Sequence, residues 1–373
     1  MLGLAGLAVA LTFGTWGNPP QWKPDALFYE AQLLEIRGVP KAEALHRVFT
    51  GPLAAPRRED EAQKAAVQKP RVSDPGWVSY SAQFYRRRWV VPILAAAIEP
   101  VFGTNSIQIV SLTGFVLVGP LLYLLLRLRF GRLPSVLAAA ACVALPPLRY
   151  WAEMPQTDSF AVAMEALALL AAMLALDRGK RWYPFFLLSM LVLAFTRDAS
   201  AIVLVAVAWL AFRTRSRRSY ALVAGAAVTT ALAPLLFGAP LRVQLAYMFD
   251  DFYVPNDTSW GFILGQYPKG FRRVEIHDVD YLTHHPLTGL AVVGGLLALY
   301  GLKRRDPLVM LARAAGIACL GLVALQPNPT ALRLELVFVP VLAVGLALLL
   351  ATALPLAAVT KIRGKHPRAD SLA

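Results

Sequence analysis

The chain has 373 residues, 57% of them hydrophobic and only 16% charged, with a mean hydropathy of +0.53. A soluble domain carries about 25% charged residues, so a soluble globular enzyme, a disordered chain and a fibrous protein are all excluded. The net charge of +14 comes from basic residues punctuating long apolar runs, a pattern of membrane-flanking loops rather than of a nucleic-acid surface.

In chain order, residues 1–17 form a first apolar run with no charged side chain and no basic leader. The run therefore reads as an uncleaved span, not a signal peptide. Residues 18–103 are a long outer segment with helix-like pieces at 25–37 and 41–49, each bounded by Gly or Pro. Its last part, 89–102, is apolar but short and contains Pro92, Glu99 and Pro100, so it reads as interfacial or re-entrant. Further spans are expected at 104–126, 133–148, 157–176, 182–196, 199–212 and 219–237. A second outer loop covers 238–285, spans follow at 286–302, 308–325 and 334–355, and 356–373 is a basic tail. The expectation is an all-α polytopic bundle of ten spans in one membrane domain.

Charge sets the register. Arg127/Arg129/Arg132, Arg178/Lys180/Arg181, Arg213/Arg215/Arg217/Arg218, Lys303/Arg304/Arg305 and the tail all fall in alternate loops. Basic short loops stay in the cytoplasm, so both termini are expected inside and the two long loops outside. Residues 182–212 are read as two short helices, with Arg197 and Asp198 at the turn sunk below the outer surface.

Chemistry-bearing residues gather on the outer side. Asp25, in Lys23-Pro24-Asp25-Ala26-Leu27-Phe28-Tyr29, falls at a helix start with Tyr29 one turn along. A carboxylate there is either an ordinary N-cap or a general base at the membrane surface. Asp158, in Met154-Pro155-Gln156-Thr157-Asp158, has the same two readings, with Glu165 two turns deeper and facing the bundle. Arg197 and Arg333 are each the lone basic residue of a short outer loop. A guanidinium so placed either snorkels or grips a phosphate in bidentate fashion. Arg86-Arg87-Arg88 beside Trp89 suit anionic head groups or a lipid-linked phosphate. The run Glu275-Ile276-His277-Asp278-Val279-Asp280, followed by His284 and His285, matches no metal-ligand spacing and reads as a solvated loop. Cys142 and Cys319 sit in apolar stretches and suggest neither a disulfide nor a thiolate metal site.

This layout resembles the GT-C superfamily of integral membrane glycosyltransferases, which includes the protein O-mannosyltransferases and the aminoarabinose transferase. The likeness lies in a first span, an outer loop opening with Asp25 through Tyr29 to Gly38, and the segment Ala152–Asp158 entering a span. It extends to Thr196-Arg197 after a short span and to Arg333 ahead of Val339-Pro340. An acidic pair common in relatives is absent, because Ala26 follows Asp25, and the aromatic that usually follows the late Arg is replaced by Leu334 and Glu335.

The resemblance implies an inverting transfer of a sugar from a polyprenyl-phosphate donor to a glycan, lipid or protein acceptor. The reaction would occur at the outer face of a bacterial inner (plasma) membrane, in service of the cell envelope. Asp25 would be catalytic, with Tyr29, Asp158, Arg197 and Arg333 binding substrate, no cofactor or metal, and no nucleic-acid partner. Two other readings compete. One is a lipid or small-solute transporter or flippase using Glu165 and Arg197 as an intramembrane pair. The other is a non-catalytic scaffold indifferent to all these residues.

Overall fold

A computed structural model of the protein describes residues 1–16, 22–51, 53, 74–250, 253–327 and 332–363. Most of the expected cytoplasmic tail, the segment 54–73 and the approach to Arg333 at 328–331 lie outside the described residues. The described residues are all-helical, with no strand among them. Among them, five helices are long and apolar enough to cross a membrane: Val90–Arg127, Asp158–Arg178, Arg217–Phe237, Pro307–Leu325 and Glu335–Leu354. The number rises to seven if two bent pairs, Arg132–Val143 with Pro146–Ala152 and Trp260–His284 with Pro286–Gly301, each make one span.

Near the start of the chain, α1 (Leu2–Leu11) is followed by α2 (Pro24–Ile36), α3 (Lys41–Phe49) and α4 (Pro75–Tyr85). Both expected pieces of the outer segment are thus helical, and α4 is a third. They share a small aromatic core of their own in which Phe28, Phe49 and Trp77 cluster. The first apolar run gives a shorter helix than its composition suggests. At 1.5 Å per residue, α1 reaches only about 15 Å. Thr12 closes it by donating its hydroxyl to the Ala8 carbonyl at 2.9 Å and accepting the Trp16 indole N–H at 3.0 Å.

Next, α5 (Val90–Phe102) passes through a 3₁₀ turn into α6 (Ser106–Arg127), so 90–127 counts as a single apolar stretch. Two bent helices follow, α7 (Arg132–Val143) and α8 (Pro146–Ala152), broken at 57° where Pro146 and Pro147 deny the ladder two N–H donors. The central element is α9 (Asp158–Arg178). Its apolar residues surround the whole helix, as a helix buried on all sides requires, and 89% of its apolar window is buried against 22% for Arg217–Phe237. It crosses α6 closely. A Cβ built on Gly114 would lie 2.5 Å from the Cα of Phe160. Beside this crossing, Ser159 donates to the Ser111 carbonyl at 2.6 Å. Small residues let the backbones approach, and hydroxyls bond across the gap. This crossing fixes where α9 begins, and α9 begins at Asp158.

The stretch 182–212 is two helices, α10 (Tyr183–Ala194) and α11 (Ser200–Thr214), with Arg197 and Asp198 in the turn between them. Then come α12 (Arg217–Phe237), α13 (Leu241–Phe249), α14 (Trp260–His284), α15 (Pro286–Gly301), α16 (Pro307–Leu325) and α17 (Val339–Arg363). The long α14 corrects the reading of 238–285 as a loop. Its hydropathy is too low to mark a span, yet Ser259 caps it by accepting the Phe262 N–H at 3.2 Å.

The basic loops meet at one end of the bundle. Arg129 bonds Asp177 at 2.7 Å and Asp306 at 3.1 Å, Arg218 donates to the Leu176 carbonyl at 2.8 Å, and Arg304 donates to the Arg129 carbonyl at 3.4 Å. The close crossing of α6 and α9 yields a test. Gly114→Ala should cost about 1–3 kcal/mol of stability, as overpacking does, in thermal unfolding of detergent-purified protein. Gly321→Ala, where nothing lies within 4 Å of the added methyl, should be neutral or slightly stabilising. Equal unfolding of the two variants would disprove the close crossing.

Candidate functional site

At the end of the bundle away from the basic loops, five separate segments deliver charged side chains to one place. The first is the start of α2. Pro24 occupies its first turn, Lys23 is the extended N-cap residue, and no side chain caps it. Asp25 is therefore not the cap. Its Oδ1 accepts the Tyr85 hydroxyl at 2.6 Å, and its Oδ2 lies 2.7 Å from Arg333 Nη1.

Asp158 behaves the same way at the start of α9. It makes no capping bond, and its fully buried side chain is shared between two arginines. Arg333 Nε reaches both carboxylate oxygens, at 3.1 and 3.2 Å, and Nη2 reaches Oδ2 at 3.1 Å. Arg197 Nη1 pairs with Oδ1. Both carboxylates thus leave the capping geometry for guanidinium partners.

Arg333 holds the site together. One guanidinium spans Asp25 and Asp158, donates to Gln156 Oε1 as well, and lies 4.7 Å from the centre of the Trp151 ring. A desolvated cation over an indole adds up to about 2 kcal/mol. The backbone bends sharply to present it. Leu332 has φ +60°, a left-handed conformation that costs a Cβ-bearing residue about 1–2 kcal/mol. The Arg333 carbonyl in turn accepts Arg197 Nη2 at 3.4 Å.

The run 86–88 divides its arginines among three positions. Arg86 is exposed, Arg87 pairs with Asp198 at 2.6 Å, and Arg88 turns inward to donate to the Tyr29 hydroxyl at 2.9 Å. Tyr29 is fully buried, and its hydroxyl is 3.4 Å from that of Thr157. Among the described residues Arg88 has no carboxylate in direct contact, and its Nε is buried without a partner.

All five sequence-predicted residues, Asp25, Tyr29, Asp158, Arg197 and Arg333, therefore come together. Tyr85, Arg88, Gln156 and Trp151 complete the cluster; the sequence marks Arg88 only as part of the basic run 86–88 and leaves Tyr85 and Trp151 unmarked. The clue to Tyr85 and Arg88 is the aromatic and basic run Phe84-Tyr85-Arg86-Arg87-Arg88-Trp89 at the end of α4.

Charge explains the states of these groups. Burial tends to raise the Asp25 carboxyl, but Arg333, the Tyr85 hydrogen bond and Arg88 outweigh it and hold it below its ordinary value. Burial, then Asp25, pushes the Tyr85 hydroxyl well up, so it stays a proton donor. Burial and the like charges of Arg333 and Arg88 pull Arg197 down, yet contact with Asp158 keeps it a cation. Three guanidiniums, Arg88, Arg197 and Arg333, face two carboxylates, while Arg87 and Asp198 neutralise each other. Glu335, paired with Asp278, also acts on Arg197, and Asp25 is partly open, its side chain 22% exposed.

Other candidates stand apart. Glu165 is fully buried, and neither of its carboxyl oxygens has a partner, so it does not pair with Arg197. His284 and Asp280 lie one turn apart on the exposed surface of α14, at 72% and 67% exposure; the Glu275 side chain is outside the described residues. Among the described residues no group of three or more His, Cys, Asp or Glu is placed to hold a metal ion. Compared with known proteins, the chain matches no family model, no curated protein and no solved structure.

The depressed Asp25 carboxyl fixes the sign of a pH effect. A carboxyl held below its unfolded value of 3.8 contributes stability above that pH and loses it as pH falls through the lowered folded value. Arg333→Gln removes the largest charge holding it down, so the Asp25 titration, followed by carboxyl infrared bands assigned with Asp25→Asn, should move upward. An unchanged or lower titration would contradict the pairing.

Proposed function

We propose that this protein is a GT-C-type membrane glycosyltransferase. It would move a sugar from a polyprenyl-phosphate donor to an acceptor hydroxyl at the outer face of the membrane. One observation carries the reading: a partly open carboxylate and three guanidiniums, Arg88, Arg197 and Arg333, lie side by side at the end of the bundle remote from the basic loops. A phosphate leaving group needs the cations, and an attacking hydroxyl needs the base.

The basic loops and the site lie at opposite ends of α6, the α7–α8 pair, α9 to α12 and α15 to α17, which supports more crossings than the five to seven counted by length, while α1, about 15 Å long, is too short to count as one by itself. Basic loops at the far end support an outward-facing site. A donor held in the lipid enters sideways between helices, which a soluble nucleotide sugar outside the cell would not do.

In this reading the acceptor oxygen attacks the anomeric carbon while Asp25 takes its proton. The bond from that carbon to the phosphate oxygen breaks, and its electron pair stays with the phosphate. Arg88, with its unpartnered Nε, and Arg333 neutralise the charge that develops there. A single displacement inverts the anomeric centre. Arg333 bonds Asp25 at 2.7 Å; a phosphate that draws Arg333 away lifts the Asp25 carboxyl and makes it a better base. Asp158, buried and without an opening, positions Arg197 and Arg333.

The test is transfer from a radiolabelled polyprenyl-phosphate sugar in proteoliposomes. Asp25→Asn should lower turnover by about 10²–10⁴-fold, the range of a general base, with folding and donor binding retained. Arg88→Lys should weaken donor binding despite keeping its charge, because the planar fork is lost. Near-normal transfer by Asp25→Asn would remove the mechanism and favour a transporter.

A further inference from the structure

Where Arg333 enters the site, a second element holds its segment. Helix α14 brings Asp278 against Glu335, in the 3₁₀ turn just past Arg333, and the two carboxyls share a hydrogen bond. The Asp278 carboxyl also accepts the backbone N–H of Leu332, the residue whose φ of +60° turns the chain to present Arg333. Asp278 Oδ1 and both Glu335 carboxyl oxygens are buried, and among the described residues no other residue donates to them. His277 on α14 and Arg197 in the turn between α10 and α11 are the other titratable or charged groups that act on the pair. Arg197 is already held by Asp158.

Two ionised carboxylates in contact out of water have nothing to bond with, since each only accepts, and their like charges repel. One proton between them supplies the missing donor and removes one of the two charges. A metal ion fits less well. Calcium and magnesium take about six oxygens or more, and among the described residues no third His, Cys, Asp or Glu joins the pair. The buried oxygens also leave a hydrated ion no room, whereas a proton needs none.

We propose that Asp278 and Glu335 hold one proton between them and so clasp α14 to the Arg333 segment, a pH-sensitive device that positions Arg333. With the proton in place, Asp278 keeps the Leu332 N–H and its left-handed turn, and Arg333 reaches Asp25 and Asp158. When the proton leaves, two like charges meet and push α14 from the turn. In the unfolded chain both carboxyls are ordinary, at about 3.9 and 4.3, so above about pH 5 the folded protein holds one proton more. The contribution of the clasp is therefore full below that range and is lost as pH rises toward the pair's own titration, tenfold in the folding constant per pH unit. The device acts whatever the site binds.

The experiment compares wild-type full-length protein with Glu335→Gln, whose amide donates to Asp278 at any pH. In one detergent, the folding constant of the wild type relative to Glu335→Gln should fall at least about tenfold between about pH 5 and pH 8. Infrared spectra at neutral pH should show a protonated-carboxyl C=O stretch in the wild type that is missing from both Glu335→Gln and Asp278→Asn. Asp278→Ala, which takes the acceptor from the Leu332 N–H, should also move the Asp25 titration upward as Arg333 loosens; if it fails to fold, the same titration is read in Asp278→Asn. An unmoved Asp25 titration would overturn the positioning role. Parallel pH profiles for wild type and Glu335→Gln, or no carboxyl band lost in either amide variant, would overturn the shared proton. So would recovery of wild-type stability at about pH 8 on adding calcium or magnesium, which would put a cation between the carboxylates instead.

Discussion

A carboxylate buried like that of Asp158, 1% exposed, can stay ionised only if cations stand against it. An isolated charge in a medium of low dielectric is too costly to keep. Arg197 and Arg333 meet that demand, and Arg333 meets it for Asp25 as well. The shared guanidinium ties helix α2 to the buried helix α9 across 133 residues of sequence. Removing it leaves one carboxylate buried with a single partner and the other with only a tyrosine hydroxyl and a more distant arginine.

The surrounding fold serves this junction. The close crossing at Gly114 fixes the start of α9, and the break at 195–199 sets Arg197 beside it. Arg87 and Asp198 pair across α4 and the same break, fastening the outer helices to the bundle. Tyr247 adds a second tie, its hydroxyl 2.9 Å from that of Ser81. Helices α2, α3 and α4 thus form a cap held by polar contacts on an apolar bundle.

Much of this was legible in the sequence. Hydropathy gave the apolar helices and charge gave the loops that gather at one end. Pro24 with Asp25, and Thr157 with Asp158, marked two helix starts correctly. The capping interpretation failed at both because a local rule cannot see a guanidinium arriving from more than a hundred residues away. Tyr85 was hidden for a related reason. The run Arg86-Arg87-Arg88 suits either head groups or a lipid-linked phosphate, and only the packing of α4 on α2 turns Arg88 inward. Glu165 was correctly placed in the interior, but its supposed partner Arg197 lies with Asp158 instead. The long α14 escaped notice because hydropathy ignores an amphipathic helix outside the apolar runs.

The shared cation is the central claim, and a double-mutant cycle tests it most directly. Unfolding free energies would be compared for the wild type, Asp158→Asn, Arg333→Gln and the double variant in one detergent. If the two residues form one buried unit, each single change should be strongly destabilising and the double no worse than either. The coupling would then be about 2–3 kcal/mol, the upper part of the range for residues in contact. Additivity within about 0.5 kcal/mol would mean that Arg333 and Asp158 merely lie side by side, and it would contradict a site built on their pairing.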